Sequence, residues 1–239
     1  MLEPHRPVDS SAILESLRVV EQERNRRSGD AGLAARVDAI KAYQEARFRH
    51  TYADLLLHRR YSAASRFFLE ELYGPRDFTR RDAQFARVVP ALVRLFPREV
   101  VGTVATLGAL HALSETLDSA MGAALADGFV DAARYAVAWQ TVGRREDRCA
   151  QIELTLEVGR SLDRYTSVPM LALSLRMMRG AARAAGLSEL QAFLERGFDT
   201  FKAMRGAGEF LGLVEQREKL LLLELFDDPQ AVVVSGRLP

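Results

Sequence analysis

Cysteine is almost missing from this chain. Cys149 stands alone, which excludes an intramolecular disulfide framework and any multi-cysteine zinc or iron–sulfur site. Net charge is scarce as well. The 33 Lys+Arg face 32 Asp+Glu, for a formal +1, and this argues against bulk electrostatic binding of nucleic acid or an anionic membrane surface. Lysine itself is rare, with only Lys41, Lys202 and Lys219. The first nine residues are polar and hold two prolines. They lack the apolar stretch of a signal peptide, so a cytoplasmic location is expected. Long hydrophobic runs are also wanting. The longest uncharged stretch, Val100 to Ser114, has 15 residues, short of the ~18–20 that span a bilayer, and no membrane partner is expected. Catalytic signatures are missing too. There is no Gly-x-Ser-x-Gly elbow, P-loop, Rossmann glycine pattern or His-Glu-x-x-His, which favours a non-enzymatic role.

What is present is helix-forming. Of 239 residues, 48% are hydrophobic and 27% charged, the balance of a folded chain with a core of real size. Ala and Leu are plentiful, and Gly and Pro fall between segments of 3/4-spaced apolar residues. The pattern predicts about ten helices. They cover roughly 10–27, 33–58, 62–72, 79–96, 98–126, 130–142, 145–165, 167–185, 188–204 and 209–226. Thr79 with Asp82, and Ser188 with Gln191, resemble capping boxes, and Pro90 should kink or divide the fourth helix. No period of 34 or 40 residues repeats, and no Ser/Gly/Pro-rich linker divides the chain. The expected fold is all-α, a single domain over 1–239, bundle-like or orthogonal, with a globin-like arrangement compatible. Residues 1–9 and 227–239 read as loose termini.

Local charge is uneven. Residues 41–100 carry a net +5, 101–143 a net −3, 144–185 a net +3 and 186–239 a net −3. Such blocks either pair inside the fold or present a basic face to an anion. The densest constellation runs from Phe67 to Asp82. It holds two aromatic anchors, the turn Leu72-Tyr73-Gly74-Pro75, and Arg80 and Arg81 at the start of the fourth helix. Cations there oppose the helix dipole, so they call for carboxylate partners or a bound anion. This stretch, Tyr61 through Pro90 with Arg81-Asp82, resembles a family of uncharacterised bacterial helical proteins that carry a Phe pair, a Leu-Tyr-Gly turn and an Arg-Asp pair in this order. The likeness extends through Leu113-Ser114-Glu115, Leu117-Asp118, Gly197-Phe198 and Arg217-Glu218, over most of the chain. It implies the helical fold and no particular reaction.

Three further groups stand out. His111, Glu115 and Asp118 are spaced 4 and 3 apart, on one face of an otherwise apolar helix. They are candidate ligands for a divalent metal or a small molecule, and His111 for haem. The plainer reading is a solvent-facing stripe or internal ion pairs with Arg81, Arg145 or Arg148. The second group, Arg145 and Arg148 after Gly143, opens the seventh helix as a candidate anion site or an ordinary solvated turn. Arg217-Glu218 interrupts an apolar helix as a candidate buried pair. Three functions follow, in this order of preference. The first is partner binding as a homodimer or larger homo-oligomer, prompted by the leucine-rich last helix. The second is sensing of a small anionic ligand, haem or a metal between helices. The third is nucleic-acid binding through 41–100, ranked last because no recognition pattern accompanies the charge.

Overall fold

The computed structural model describes residues 10–71, 86 and 89–239. The described chain is all-α, with helices and turns and no strand. In chain order the helices are α1 (Ser10–Ser28), α2 (Ala31–Thr51), α3 (Ala53–Leu57), α4 (Ser62–Glu71), α5 (the described residues 89–95) and α6 (Arg98–Ala124). They continue with α7 (Ala132–Val142), α8 (Arg145–Thr166), α9 (Pro169–Met177), α10 (Arg179–Ala184), α11 (Ser188–Met204), α12 (Gly208–Asp227) and α13 (Pro229–Val234).

Aspartates set three of the helix starts. Asp30, Asp131 and Asp228 each accept a hydrogen bond from the backbone N–H three residues on, at 2.9, 2.8 and 3.1 Å. This satisfies a donor the helix cannot. The long second segment divides at Tyr52, whose side chain is fully buried. The eighth divides at Met178. The Ser188–Gln191 box does not form. Gln191 is buried, and its amide instead donates to the Leu175 carbonyl and to Glu195. The Thr79–Asp82 box, the turn at 72–75, and Arg80 and Arg81 lie outside the described residues.

One hydrophobic core joins the described helices. α6 runs through the middle and packs on α1, α2, α7 and α8, while α12 packs on α7, α8 and α13. By length and apolar composition α6 would pass for a membrane span. Here four neighbouring helices pack against it. The phenylalanine pair acts as an anchor: Phe67 and Phe68 are buried against Phe193, Phe201 and Phe210 of α11 and α12. Gly122 lets α2 approach α6, since a Cβ there would sit 2.6 Å from Val37 Cγ2. Residues 227–239, expected to be loose, instead build α13, bury Val232 and Leu238, and tie Gly236 O to His50 at 2.8 Å. Apolar side chains at 232 and 238 reach the core because Asp228 caps a new helix turn instead of ending the fold.

Candidate functional site

A seam of charged and polar side chains crosses the core, and α6 is its spine. Glu115 and Asp118 are 5% and 6% exposed. The two remaining charges of this face are supplied by α1 and α2. Arg27 of α1 donates to Glu115 and, at 3.0 Å, to Ser119 Oγ. Lys41 of α2 donates to the other Glu115 oxygen at 2.6 Å. Gln44 Nε2 donates to Asp118 Oδ1 at 3.0 Å. His111 sits farther out, 3.5 Å from the Arg24 guanidinium. The stripe is thus one of internal pairing, with Arg27 and Lys41 on Glu115; of the expected partners Arg81, Arg145 and Arg148, Arg145 pairs elsewhere, with Asp227, and Arg81 lies outside the described residues. A cation at Glu115 would have to displace both Arg27 and Lys41. Among the described residues no three His, Cys, Asp or Glu side chains converge as a ligand set.

Electrostatics separate the two carboxylates. Burial works to raise the Glu115 pKa, but Lys41, Arg27 and His111 prevail and hold it down to about 2. For Asp118 burial prevails, Glu115 adds repulsion, and its carboxyl is pushed up despite Lys41, Gln44 and Arg148.

Arg148 lies next along the seam. It comes from the first turn of α8, is 3% exposed, and stacks its guanidinium over Trp139 of α7 at 4.0 Å. Nη1 reaches Gln151 Oε1 at 3.3 Å, and Gln151 donates to Ser114 of α6 at 2.8 Å. Burial pushes the Arg148 pKa down, against Tyr135 and Asp118. Beyond it, Arg47 donates to Glu218 at 3.0 Å, and the Tyr52 hydroxyl donates to the same oxygen at 2.8 Å. Glu218 is therefore buried as expected, but not against its neighbour. Arg217 points outward and grips Asp54 with two bonds of 2.7 Å, because adjacent helix positions face different ways.

Arg145 and Arg148 part company for the same reason. Arg145 is exposed, paired with Asp227 and stacked on Phe226. The turn before them is unusual: Gly143 and the non-glycine Arg144 both hold positive φ, 64° and 56°, a conformation that costs free energy outside glycine. Arg27, Lys41, Gln44, Arg47 and Trp139 escape sequence reasoning. The one available signal is that Lys41, Gln44 and Arg47 recur every third residue inside the apolar face of α2.

A second surface feature lies on α9. Met170, Leu173 and Met177 follow the 3/4 spacing of one helix face and are 68%, 53% and 75% exposed. Val168 before the helix is half-exposed as well. Beside them a cleft is lined by Arg176, Arg179, Glu195 and Asp199, with Arg179 gripping Glu195 at 2.6 and 2.8 Å.

A family model described as a domain of unknown function (DUF8198) matches residues 22–231. The chain belongs to this family. The DUF8198 match contains every seam residue from Arg27 to Glu218 and all of α9. No curated protein and no solved structure matches the chain.

Proposed function

We propose that the protein works by binding without catalysis, and that its partner is a second copy of itself docked on the outward face of α9. The observation that carries this is the contiguous run Val168, Met170, Leu173 and Met177, four large apolar side chains exposed within ten residues. Single exposed apolar residues are ordinary, whereas an apolar stripe rimmed by polar groups marks a contact surface. Methionine suits such a surface because its flexible thioether adapts to the opposing side chain. Charges of both signs line the adjoining cleft together, Arg176 and Arg179 with Glu195 and Asp199. A second copy carries the same mixed set of charges, so across a two-fold axis each sign can meet its opposite, whereas a uniformly acidic or basic partner meets like charge in part of the cleft. Four side chains alone fall short of the roughly 800 Å² per partner that a stable interface needs, so the adjoining cleft is included in the contact. A cytoplasmic setting belongs to the reading and is supported by the single, exposed thiol of Cys149.

Sedimentation velocity tests this. Wild type should run at twice the chain mass at tens of micromolar, and the double variant Leu173→Glu, Met177→Glu should run as a monomer with an unchanged circular-dichroism melt. A wild type that stays monomeric up to its solubility limit overturns the reading.

A further inference from the structure

Arg148 presents hydrogen-bond donors that nothing in the described chain accepts. Its Nε and Nη2 are both buried and unpartnered, although the residue is only 3% exposed. These two nitrogens are the side-on edge of the guanidinium, the edge that receives both oxygens of a carboxylate or phosphate in one plane. The chain itself shows that edge filled elsewhere. Arg179 grips Glu195 through Nε at 2.6 Å and Nη2 at 2.8 Å. Arg18 grips Glu15 through the same atoms at 3.0 and 2.7 Å. Both of those pairs lie at the surface, where an open fork would be hydrated at little cost. The buried fork is the one left open.

The wall beside it is of the same character. Trp139, whose ring carries the Arg148 guanidinium, also has a buried and unpartnered Nε1–H. That makes three buried donors on two stacked side chains and no acceptor answering them. Asp118, the carboxylate whose charge acts on Arg148, accepts from Gln44. Arg148 lies in the first turn of α8, where the helix dipole and free N–H groups also favour negative charge. It is one helical turn below the exposed Arg144, whose carbonyl accepts from Arg148 N at 3.1 Å. The turn that precedes it, Gly143–Arg144, holds two consecutive positive φ angles.

We propose that the Arg148 Nε/Nη2 edge, with Trp139 as its platform, is a binding site for a small oxyanion that offers two coplanar oxygens. Carboxylate and phosphate share this chemistry, and the experiment separates them.

The full-length chain is melted by differential scanning fluorimetry in sodium acetate, in sodium phosphate and in sodium chloride at matched ionic strength. Acetate or phosphate should raise the melting temperature saturably by several degrees over chloride, because a ligand that binds only the folded state stabilises it. A rise with acetate alone assigns a carboxylate ligand, and with phosphate alone a phosphate. Arg148→Lys keeps the charge and loses the fork, and should weaken the response about tenfold. Trp139→Phe keeps the stacking ring and loses one donor, and decides the matter should Arg148→Lys fail to fold. It should weaken binding several-fold. If neither anion exceeds chloride in the wild type, or if the rise survives both substitutions unchanged, the fork serves only buried water and the proposal fails.

Discussion

Glu115 and Asp118 stand one turn apart on α6, yet ionisation affects them in opposite senses. Glu115 is held at about pKa 2 in the folded chain, against ~4.3 for an unfolded glutamate. A depressed folded pKa adds stability that is complete above the unfolded value and disappears as pH falls through the folded one. The window is therefore about pH 4.5 down to about pH 2, and the shift corresponds to ~3 kcal/mol. Glu115→Gln should flatten the acid limb of a urea-unfolding series in that window. At pH 7 it should cost ~3–5 kcal/mol, because Arg27 and Lys41 are left facing an uncharged amide in the interior. Asp118 is the reverse case, with its folded pKa raised by burial. A raised folded pKa gives stability present below the unfolded value and lost as pH rises through the folded one, so at pH 7 the ionised form is a cost. Asp118→Asn keeps an oxygen for Gln44 and should leave stability at pH 7 unchanged or raise it by ~1 kcal/mol. Destabilisation greater than that of Glu115→Gln would show the two roles reversed. The sequence spacing already placed these residues on one face and allowed for internal pairing. The partners were not legible, because which cations of α1 and α2 arrive depends on how three helices cross, and a one-dimensional pattern carries no crossing angle.

Several element boundaries were readable where a small or capping residue marks them. Asp30 and Asp131 cap close to the expected helix starts, and Gly143 and Gly186 end their segments in positive φ, whereas Asp228, which reads as a helix end, also caps α13. The two breaks that escaped, at Tyr52 and Met178, involve no glycine or proline. They are imposed by packing, which overrides local preference. The same contrast governs glycines within helices. At Gly122 an added Cβ would come within 2.6 Å of Val37 Cγ2 and 3.1 Å of its backbone nitrogen, so α2 itself would have to shift. At Gly212 of α12 nothing lies within 4 Å. Gly122→Ala should therefore lose ~1–3 kcal/mol to overpacking, more than the ~1 kcal/mol gained in helix propensity. Gly212→Ala should simply gain ~0.5–1 kcal/mol. Urea midpoints for the two variants should move in opposite directions, and a gain at Gly122 would mean that α2 and α6 are less closely packed than described.

Across the whole molecule, ion pairs among the described residues join the alternating charge blocks. Arg47 and Arg60 from the basic 41–100 block pair with Glu218 and Glu209 of the acidic C-terminal block. Arg145, Arg160 and Arg179 from the second basic block pair with Asp227, Glu215 and Glu195. The C-terminal residues close this arrangement from outside. Val232 and Leu238 are 1% and 4% exposed, Arg237 pairs with Glu224 at 2.6 Å, and the Tyr43 hydroxyl donates to Pro239 O at 3.3 Å. Burying two such aliphatic side chains is worth about 1.5–3 kcal/mol each as an upper figure, and ordering the segment takes back part of it. Deleting residues 229–239 should thus lower the unfolding free energy by ~2–4 kcal/mol, as a cavity-forming change in a core does. The deletion has a second, local readout. Burial pushes the Tyr43 phenol well above its ordinary range, with Tyr135 and Asp131 adding to it. Opening this end of the seam should return Tyr43 toward a normal tyrosine titration, followed by ultraviolet absorbance on variants that isolate it. A truncated chain with full stability and an unmoved Tyr43 would mean that the tail only rests on the surface. A joint loss would mean that the last helix is part of what keeps the charged seam dry.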